Sequence, residues 1–432
     1  MDPLAILFGS FALMLVAGVP IAYALGLASL LTMWSAGIPL ALFVQQMYQG
    51  INSFVLLAVP FFLLAGILMN LGEITDRLVR MSQALFGWMR GSLAVVNVVA
   101  NMLMAGLSGS SVADVAGLGS ILIPGMVKAG YPREFAVAVT ISASTIGIII
   151  PPSIFMVVYG AVGNVSIGAM FLGGAIPGIL IGLSQIAYCY VMAVRHGFPK
   201  GERLPLREVG RAVLIGLPPF GVTLIILGGI IGGVFTATEA ACVAVVYSLL
   251  LAGLAYRSLS LSRLYAAIKE AARFTGPTLF CVMNGMMFGW LMAYLEIPPR
   301  IQAFARYLEL GQTTTLLFIM LLFVILGTFE SGVASIIIFL PVVQALADGV
   351  GLNPIHVGVI VCVTLALGLI TPPYGLCLFI GAQIGGISVE RAFRHSLGFV
   401  FLFVAMDILL VLVPDTVLWL PRWLVPQMLG GR

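Results

Sequence analysis

Charge is what this chain has least of. Only 8% of its 432 residues are Asp, Glu, Lys or Arg, against 61% hydrophobic, too few polar side chains to cover a water-soluble globule of that length. The shortage excludes a soluble domain and points to a polytopic membrane protein. Period-two alternation over segments of about ten residues is also missing, which excludes a membrane β-barrel. The continuous Leu, Ile, Val, Ala and Gly runs leave the all-α class. The five cysteines, 189, 242, 281, 362 and 377, fall in apolar segments at irregular spacing. That spacing argues against a disulfide framework or a cysteine metal site. A net charge of +4 does not point to nucleic acid, because the basic residues sit in short loops beside apolar runs and report orientation instead. Met-Asp-Pro-Leu at the start has no basic n-region, and no cleavage site follows, so the first apolar run is expected to be retained as a span.

Crossing a bilayer takes about 20 apolar residues as helix, so the runs supply about ten to twelve spans. They are expected near 4–34, 51–71, 92–106, 134–162, 168–194, 212–232, 236–256, 274–295, 312–327, 355–385 and 396–420. Basic clusters at 195–211 and 257–273 are expected on the cytoplasmic side, and the two spans between them return the chain to that side. Two segments place charges at helical spacing among apolar residues, Glu73 to Arg80 and Glu296 to Arg306. Both read as helices lying along the membrane interface, with an ordinary polar loop as the competing reading.

The chain repeats itself. Gly147-Ile-Ile-Ile-Pro-Pro-Ser153 returns as Gly368-Leu-Ile-Thr-Pro-Pro-Tyr374 at an offset of 221 residues, and the same offset pairs Gly106 with Gly327 and Val112-Ala113 with Val333-Ala334. Matched halves with Gly/Pro-broken segments are the sequence signature of a secondary transporter whose site lies between inverted repeats. The expected organisation is a first repeat over 1–195, with a re-entrant hairpin at about 101–127 and a broken helix at about 134–162. A connector with two scaffold spans follows over 196–273. The second repeat, over 274–432, has its hairpin at about 318–346, its broken helix at about 355–385 and a C-terminal span.

Chemistry is expected where the apolar pattern fails. Gly106-Leu-Ser-Gly-Ser-Ser-Val-Ala-Asp114 interrupts a hydrophobic run with hydroxyls and flexible backbone, tolerated at membrane depth only where protein or a wet cavity surrounds it. The spacing predicts a hairpin with its tip at Ser108 to Ser111; a span of small residues packed on a neighbour is the competing reading. Its counterpart, Gly327-Thr-Phe-Glu-Ser-Gly-Val-Ala-Ser335, has an outgoing arm four residues shorter up to its proline, about one helical turn. Each hairpin precedes a Gly-x-x-x-Pro-Pro motif. The prolines break the hydrogen-bond ladder and free carbonyls such as that of Gly147 for a cation. The half-helix that follows presents its positive N-terminus to an anion. Ser142, Ser144 and Thr145 strengthen the first such site and Thr371 the second. The buried-run acids Asp114, Glu239, Glu330 and Asp407 are functional candidates by default. Glu239, after Thr236 and Thr238, reads more simply as an N-terminal helix acid.

These residues resemble the large membrane (M) subunit of TRAP transporters over nearly the whole chain. The likeness is carried by Ala58-Val-Pro-Phe-Phe-Leu-Leu-Ala-Gly66, the Gly106 to Asp114 segment, Gly119-Ser-Ile-Leu-Ile-Pro124, Ser144 to Ser153, Phe235-Thr-Ala-Thr-Glu-Ala240 and Gly368 to Gly375. The resemblance implies an elevator-type transport domain moving against a scaffold in the bacterial cytoplasmic membrane. It implies partners too: a small membrane (Q) subunit, a periplasmic substrate-binding protein, an organic-acid substrate and the lipid bilayer. Carried over residue by residue, it implies Na+ at Ser108, Ser111, Gly147, Ile150 and Pro151, and again at Gly327, Gly332 and Thr371. Ser110, Ser144, Thr145, Pro152 and Pro373 would meet the substrate, with Asp114 and Glu330 as possible contributors. The chain departs from the family pattern in placing Glu330 three positions after Gly327, with Ser331 where the acid is usual.

Three other functions compete. Gly106-Leu-Ser-Gly109 matches the Gly-x-Ser-Gly of intramembrane serine proteases, but that chemistry needs a histidine base, and only His196, His356 and His395 exist. A stand-alone Na+/anion symporter would show the same repeats without needing a binding protein. A channel would need a continuous polar face, which the apolar runs do not offer.

Overall fold

A computed structural model describes residues 2–70, 74–201 and 203–428. Among them every regular element is a helix, and the one β-type pairing is an isolated bridge between Arg90 and Lys200.

The chain opens with α1 (Pro3–Val16) and α2 (Ile21–Ser35). Residues 4–34 were expected as one span and are two helices packed on each other. Gly18 turns at φ +78°, and Pro20 lacks the N–H that would carry the ladder onward. Next come α3 (Ala41–Ile51) and, after a short turn at Phe54–Leu57, α4 (Ala58–Asn70), bent by 57° from one to the other. Helix α5 (Ile74–Phe86) buries Ile74, Leu78 and Val79 and leaves Asp76 and Arg80 exposed. Glu73, which the interfacial reading included, lies outside the described residues.

Two helices then meet at a two-residue corner: α6 (Ser92–Ser108) and α7 (Ser111–Lys128). Gly109 closes α6 at φ +61°, the left-handed cap that suits glycine. The first arm starts at Ser92, so residues 92–106 are an arm of this pair rather than a separate span. α8 (Arg133–Ser144) runs into a tight turn at Thr145–Ile148, breaks at 149–153 and resumes as α9 (Ile154–Gly163). Ser153 bridges the break, its hydroxyl donating to the Ile148 carbonyl at 2.5 Å and accepting from Met156 N at 3.3 Å.

After α10 (Ile167–His196) the connector forms α11 (Leu206–Gly216), α12 (Gly221–Ile231) and α13 (Ala237–Leu250). Glu239 opens α13 in a capping box with Thr236, each side chain satisfying a backbone donor of the other. α14 (Leu261–Tyr294) has 34 residues, about 51 Å of helix. It starts well before residue 274 and takes in part of the basic cluster. α15 (Ile297–Tyr307) bends away by 66°.

The second helix pair is α16 (Gln312–Phe329) and α17 (Gly332–Gly349). Both outgoing helices, α7 and α17, have 18 residues, so the four-residue difference does not shorten an arm. It moves the internal proline one turn, Pro124 standing later in α7 than Pro341 does in α17. α18 (Pro354–Gly368) breaks at Pro372-Pro373 and resumes as α19 (Leu376–Gly385), followed by α20 (Val389–Leu412) and α21 (Asp415–Leu424).

Among the described residues seven helices are long and apolar enough to cross a membrane, or nine if each of the two bent pairs is one span. By length alone this is fewer than the expected ten to twelve, because Gly and Pro divide several apolar runs into six further helices of ten to seventeen residues. The middle of the molecule is occupied by α8 and α18. Every residue from Phe135 to Ser144 and from Ile355 to Gly368 is buried. A helix apolar all round and wrapped on every face is one that other helices have to enclose.

Candidate functional site

Four helices begin at one small cavity. Three carry a serine N-cap: Ser110, Ser153 and Ser331 accept from Ala113 N, Met156 N and Ala334 N at 3.4, 3.3 and 3.3 Å. The fourth, α19, starts at Gly375, whose φ of +27° lies in the region glycine favours. Each cap takes the third N–H of its helix, and the first two have no carbonyl of their own helix to meet. Ser111 and Val112 of α7, Ile154 and Phe155 of α9, Gly332 and Val333 of α17 and Leu376 of α19 all line a cavity of about 140 Å³. Each N-terminus carries roughly half a positive charge. Whatever positive charge the cavity holds is backbone charge, since no Lys, Arg or His side chain lines it; at α17 the Glu330 carboxylate already accepts from Ser331 N, and at α19 the Leu369 carbonyl takes the N–H groups of Cys377 and Leu378.

Backbone contacts hold the helix corners against the helix breaks. A Cβ on Gly109 would stand 2.7 Å from the Pro152 carbonyl oxygen, and one on Gly66 would stand 2.6 Å from that of Ser108. Glycine at these two positions lets α9 and α4 reach the first corner. At the second, Tyr374 N donates to the Thr328 carbonyl at 2.8 Å, and the backbones of Gly327 and Gly368 touch. The Thr223 hydroxyl of α12 donates to the Gly106 carbonyl, tying the connector to the first arm.

Beside the cavity lies a buried carboxylate. Asp114 has no exposed surface, and no donor meets its oxygens in full hydrogen-bond geometry, the Ser108 hydroxyl being the near neighbour that could supply one. Oδ2 is 2.4 Å from where a Cβ on Gly147 would be, and Ser111 N is 3.2 Å from the same point. The Ser111 hydroxyl, 1% exposed, is likewise without a partner. Ser108, Ser111, Asp114 and the Gly147 backbone thus form one oxygen-rich cluster. Such a donor set suits a hard cation.

The remaining expected residues divide. Ser110, Ser111 and Gly332 line the cavity. Ser144 and Thr145 do not: they are buried, and their hydroxyls bond Ile141 and Ser142 carbonyls at 2.8 and 2.6 Å. Pro151 and Pro152 are buried, whereas Pro373 is exposed. The Ile150 side chain lies against α10 at Gly178. Thr371 bonds carbonyls of its own turn, Leu367 and Gly368, at 3.2 and 3.3 Å. Gly332 sits instead against the Phe155 ring. Gly327 adjoins the Thr371 turn through Gly368, and Gly332 lines the same small cavity as Leu369 and Tyr374, which flank that turn. Glu330 accepts from Ser331 N at 3.0 Å and lines a neighbouring crevice of about 490 Å³ bounded by the α1–α2 turn and Pro277, not the small cavity.

Sequence reading missed a set of buried polar links. Asn97 of α6 donates to Thr140 of α8 at 2.6 Å, and Asn101 donates to Asn97 at 2.9 Å. Gln185 of α10 donates to the Ser142 carbonyl at 3.1 Å. Asp407, for which no motif existed, accepts from Thr364 at 2.6 Å. Asn97, Gln185 and Asp407 each find their partner on another helix, while Asn101 extends the Asn97 link along α6. The only sequence signal was the polar residue itself.

The architecture is that of a polytopic helical membrane transporter, with broken helices and helix pairs meeting at a central cavity. Residues 8–416 match the family model described as Tripartite ATP-independent periplasmic transporter, DctM component, and the chain belongs to that family as a TRAP transporter large permease subunit. It is similar to the C4-dicarboxylate TRAP transporter large permease protein DctM of Vibrio cholerae, 38% identical over 434 residues, covering 95% of this chain and 96% of that one. It is as similar to the sialic acid TRAP transporter large permease protein SiaM of the same organism, 38% over 419 residues with the same coverage. In fold it resembles the YdaH transporter of Alcanivorax borkumensis, with a TM-score of 0.60 over 86% of each chain at 14% identity.

The protein is a transporter and not an enzyme, and the protease reading falls. His356 is taken by the Leu410 carbonyl at 2.9 Å, and His196 and His395 bond carbonyls of their own helices, so none stands beside Ser108.

Proposed function

We propose that this chain carries an organic acid across the bacterial cytoplasmic membrane by Na+-coupled secondary transport, taking the acid from a periplasmic binding protein and working with a small membrane subunit. The observation that carries the reading is the pairing of opposite preferences at one place: helix N-termini converge on the cavity, and the unpartnered Asp114 carboxylate stands behind Ser111. The first arrangement suits an anion and the second a cation. A carboxylate buried without a donor is costly; a Na+ held by Asp114, Ser111, Ser108 and the Gly147 backbone would offset that cost. Bound there, the cation would also lower the cost of bringing an anion to the N-terminus of α7. Coupling follows from that mutual dependence.

In this reading α6–α9 and α16–α19 are inverted repeats and form the moving part, while α11–α14 belong to the scaffold. The tripartite description of the family and the word "large" in the relatives' names support dependence on two partners. Their carboxylate cargoes support the substrate class.

Reconstitution tests it. Liposomes holding this chain, the small subunit and the binding protein should accumulate the acid under an inward Na+ gradient and not under a K+ gradient. Liposomes holding this chain alone should be inactive. Uptake by the chain alone would leave a stand-alone symporter, and uptake independent of Na+ would remove the coupling assignment.

A further inference from the structure

Resting on the transporter reading above, we propose that the cavity between the two helix corners takes a small acid with a single carboxylate and an apolar body, and disfavours dicarboxylates and sugar acids. Whatever positive charge it holds comes from backbone alone. The first residues of α7, α9, α17 and α19 reach it, and no cationic side chain lines it. Ser111 lines the cavity, is 1% exposed and has no partner for its Oγ; Tyr374 lines it too, while the Thr278 hydroxyl is spent on the Phe274 carbonyl. Ser110 and Ser331 also line it, each accepting from a backbone N–H as a helix cap while keeping its own O–H to donate to a carboxylate.

The rest of the wall is hydrocarbon, chiefly Leu63, Ile148, Phe155, Phe274, Leu369 and Leu376. A carboxylate seated at the helix N-termini would leave its remaining atoms against these side chains. A second carboxylate would be buried there without a cation, which is strongly unfavourable. The hydroxyls of a sugar acid would exchange water for a surface that offers few partners. Size bears on the sugar acid and not on the dicarboxylate, since succinate is no larger than 4-methyl-2-oxopentanoate. The volume of about 140 Å³ is below the roughly 300–1,000 Å³ of sites for drug-sized ligands, and equals about five waters at ~30 Å³ each.

The test uses the purified full chain in NaCl and in KCl. Its melting temperature is followed while isovalerate, 4-methyl-2-oxopentanoate, succinate or gluconate is titrated at matched cation concentration. The two branched monocarboxylates should half-saturate at concentrations about tenfold or more below succinate and gluconate. Phe274→Arg, at a position 53% exposed, should bring succinate level with them by supplying the missing cation. Succinate or gluconate binding as tightly as the branched acids in the unaltered chain would overturn the proposal. So would a Na+-specific rise with no response to any acid. Acid responses in that order without any difference between NaCl and KCl would keep the substrate class and strike the Na+ coupling instead.

Discussion

Asp114 and Gly147 define each other. A methyl group on Gly147 would fall 2.4 Å from Asp114 Oδ2, closer than real Cβ contacts allow, and a tight 3.2 Å from Ser111 N, so the carboxylate has to move. Gly147→Ala should therefore fold while losing cation affinity, seen as a NaCl-over-KCl rise in melting temperature that is much reduced from the unaltered chain. Asp114→Asn tests the charge with the shape nearly kept. If Asp114 holds Na+, a site filled to ten times its dissociation constant stabilises the unaltered chain by about 1.4 kcal/mol. The Asn variant should show no such increment, yet melt no lower than the unaltered chain in KCl, because a neutral amide is less costly to bury than an unpartnered carboxylate. A Na+ increment that survives in Asp114→Asn would move the cation elsewhere. Asp407 makes a useful contrast. It too is buried, but Thr364 already donates to it, and Asp407→Asn should leave the Na+ increment intact.

At the scale of the helix, the positions where helices stop follow from local chemistry. Gly109 supplies a left-handed cap, Ser110 and Ser331 supply N-caps, and the Pro pairs remove donors. The tie between α12 and α6 is of another kind. Thr223 donates to the carbonyl of Gly106, one of the last four of α6 and so without an intrahelical partner. Thr223→Val should lower the melting temperature by the equivalent of about 1–3 kcal/mol, the cost of a buried acceptor left unmade, without changing the Na+ increment. The membrane class and the family were legible because composition and short motifs carry them. The break between α1 and α2 was not, because Gly18-Val-Pro20 sits in an otherwise unbroken apolar run and two short helices give the same hydropathy as one long one. The contact of Gly332 with the Phe155 ring was hidden for a different reason: it depends on how α17 packs against α9, and no local pattern records that. The convergence of four helix starts is likewise a property of assembly, although each start was visible alone.

For the whole molecule, the question is whether the second helix pair moves against α14. Gly285 of α14 and Ile337 of α17 are the place to ask. A Cβ on Gly285 would lie 3.4 Å from the Ile337 Cβ, close to the Cβ separation of a disulfide. The Ile337 methyl that now fills the space would be gone in a cysteine. The double variant Gly285→Cys/Ile337→Cys should therefore cross-link under mild oxidation. Four of the five native cysteines are buried and Cys242 is only partly exposed, so little competing reaction is expected. If transport requires α17 to slide past α14, the oxidised protein should bind Na+ with an unchanged melting increment and yet carry no acid in liposomes, and reduction should restore uptake. Binding without movement separates an elevator from a fixed-site mechanism, because in the latter both helices could stay linked while a smaller gate opens. Uptake that continues with the cross-link fully formed would place α14 and α17 in one body and force the moving boundary elsewhere, toward the contact of α4 with α6 at Gly66 and Ser108.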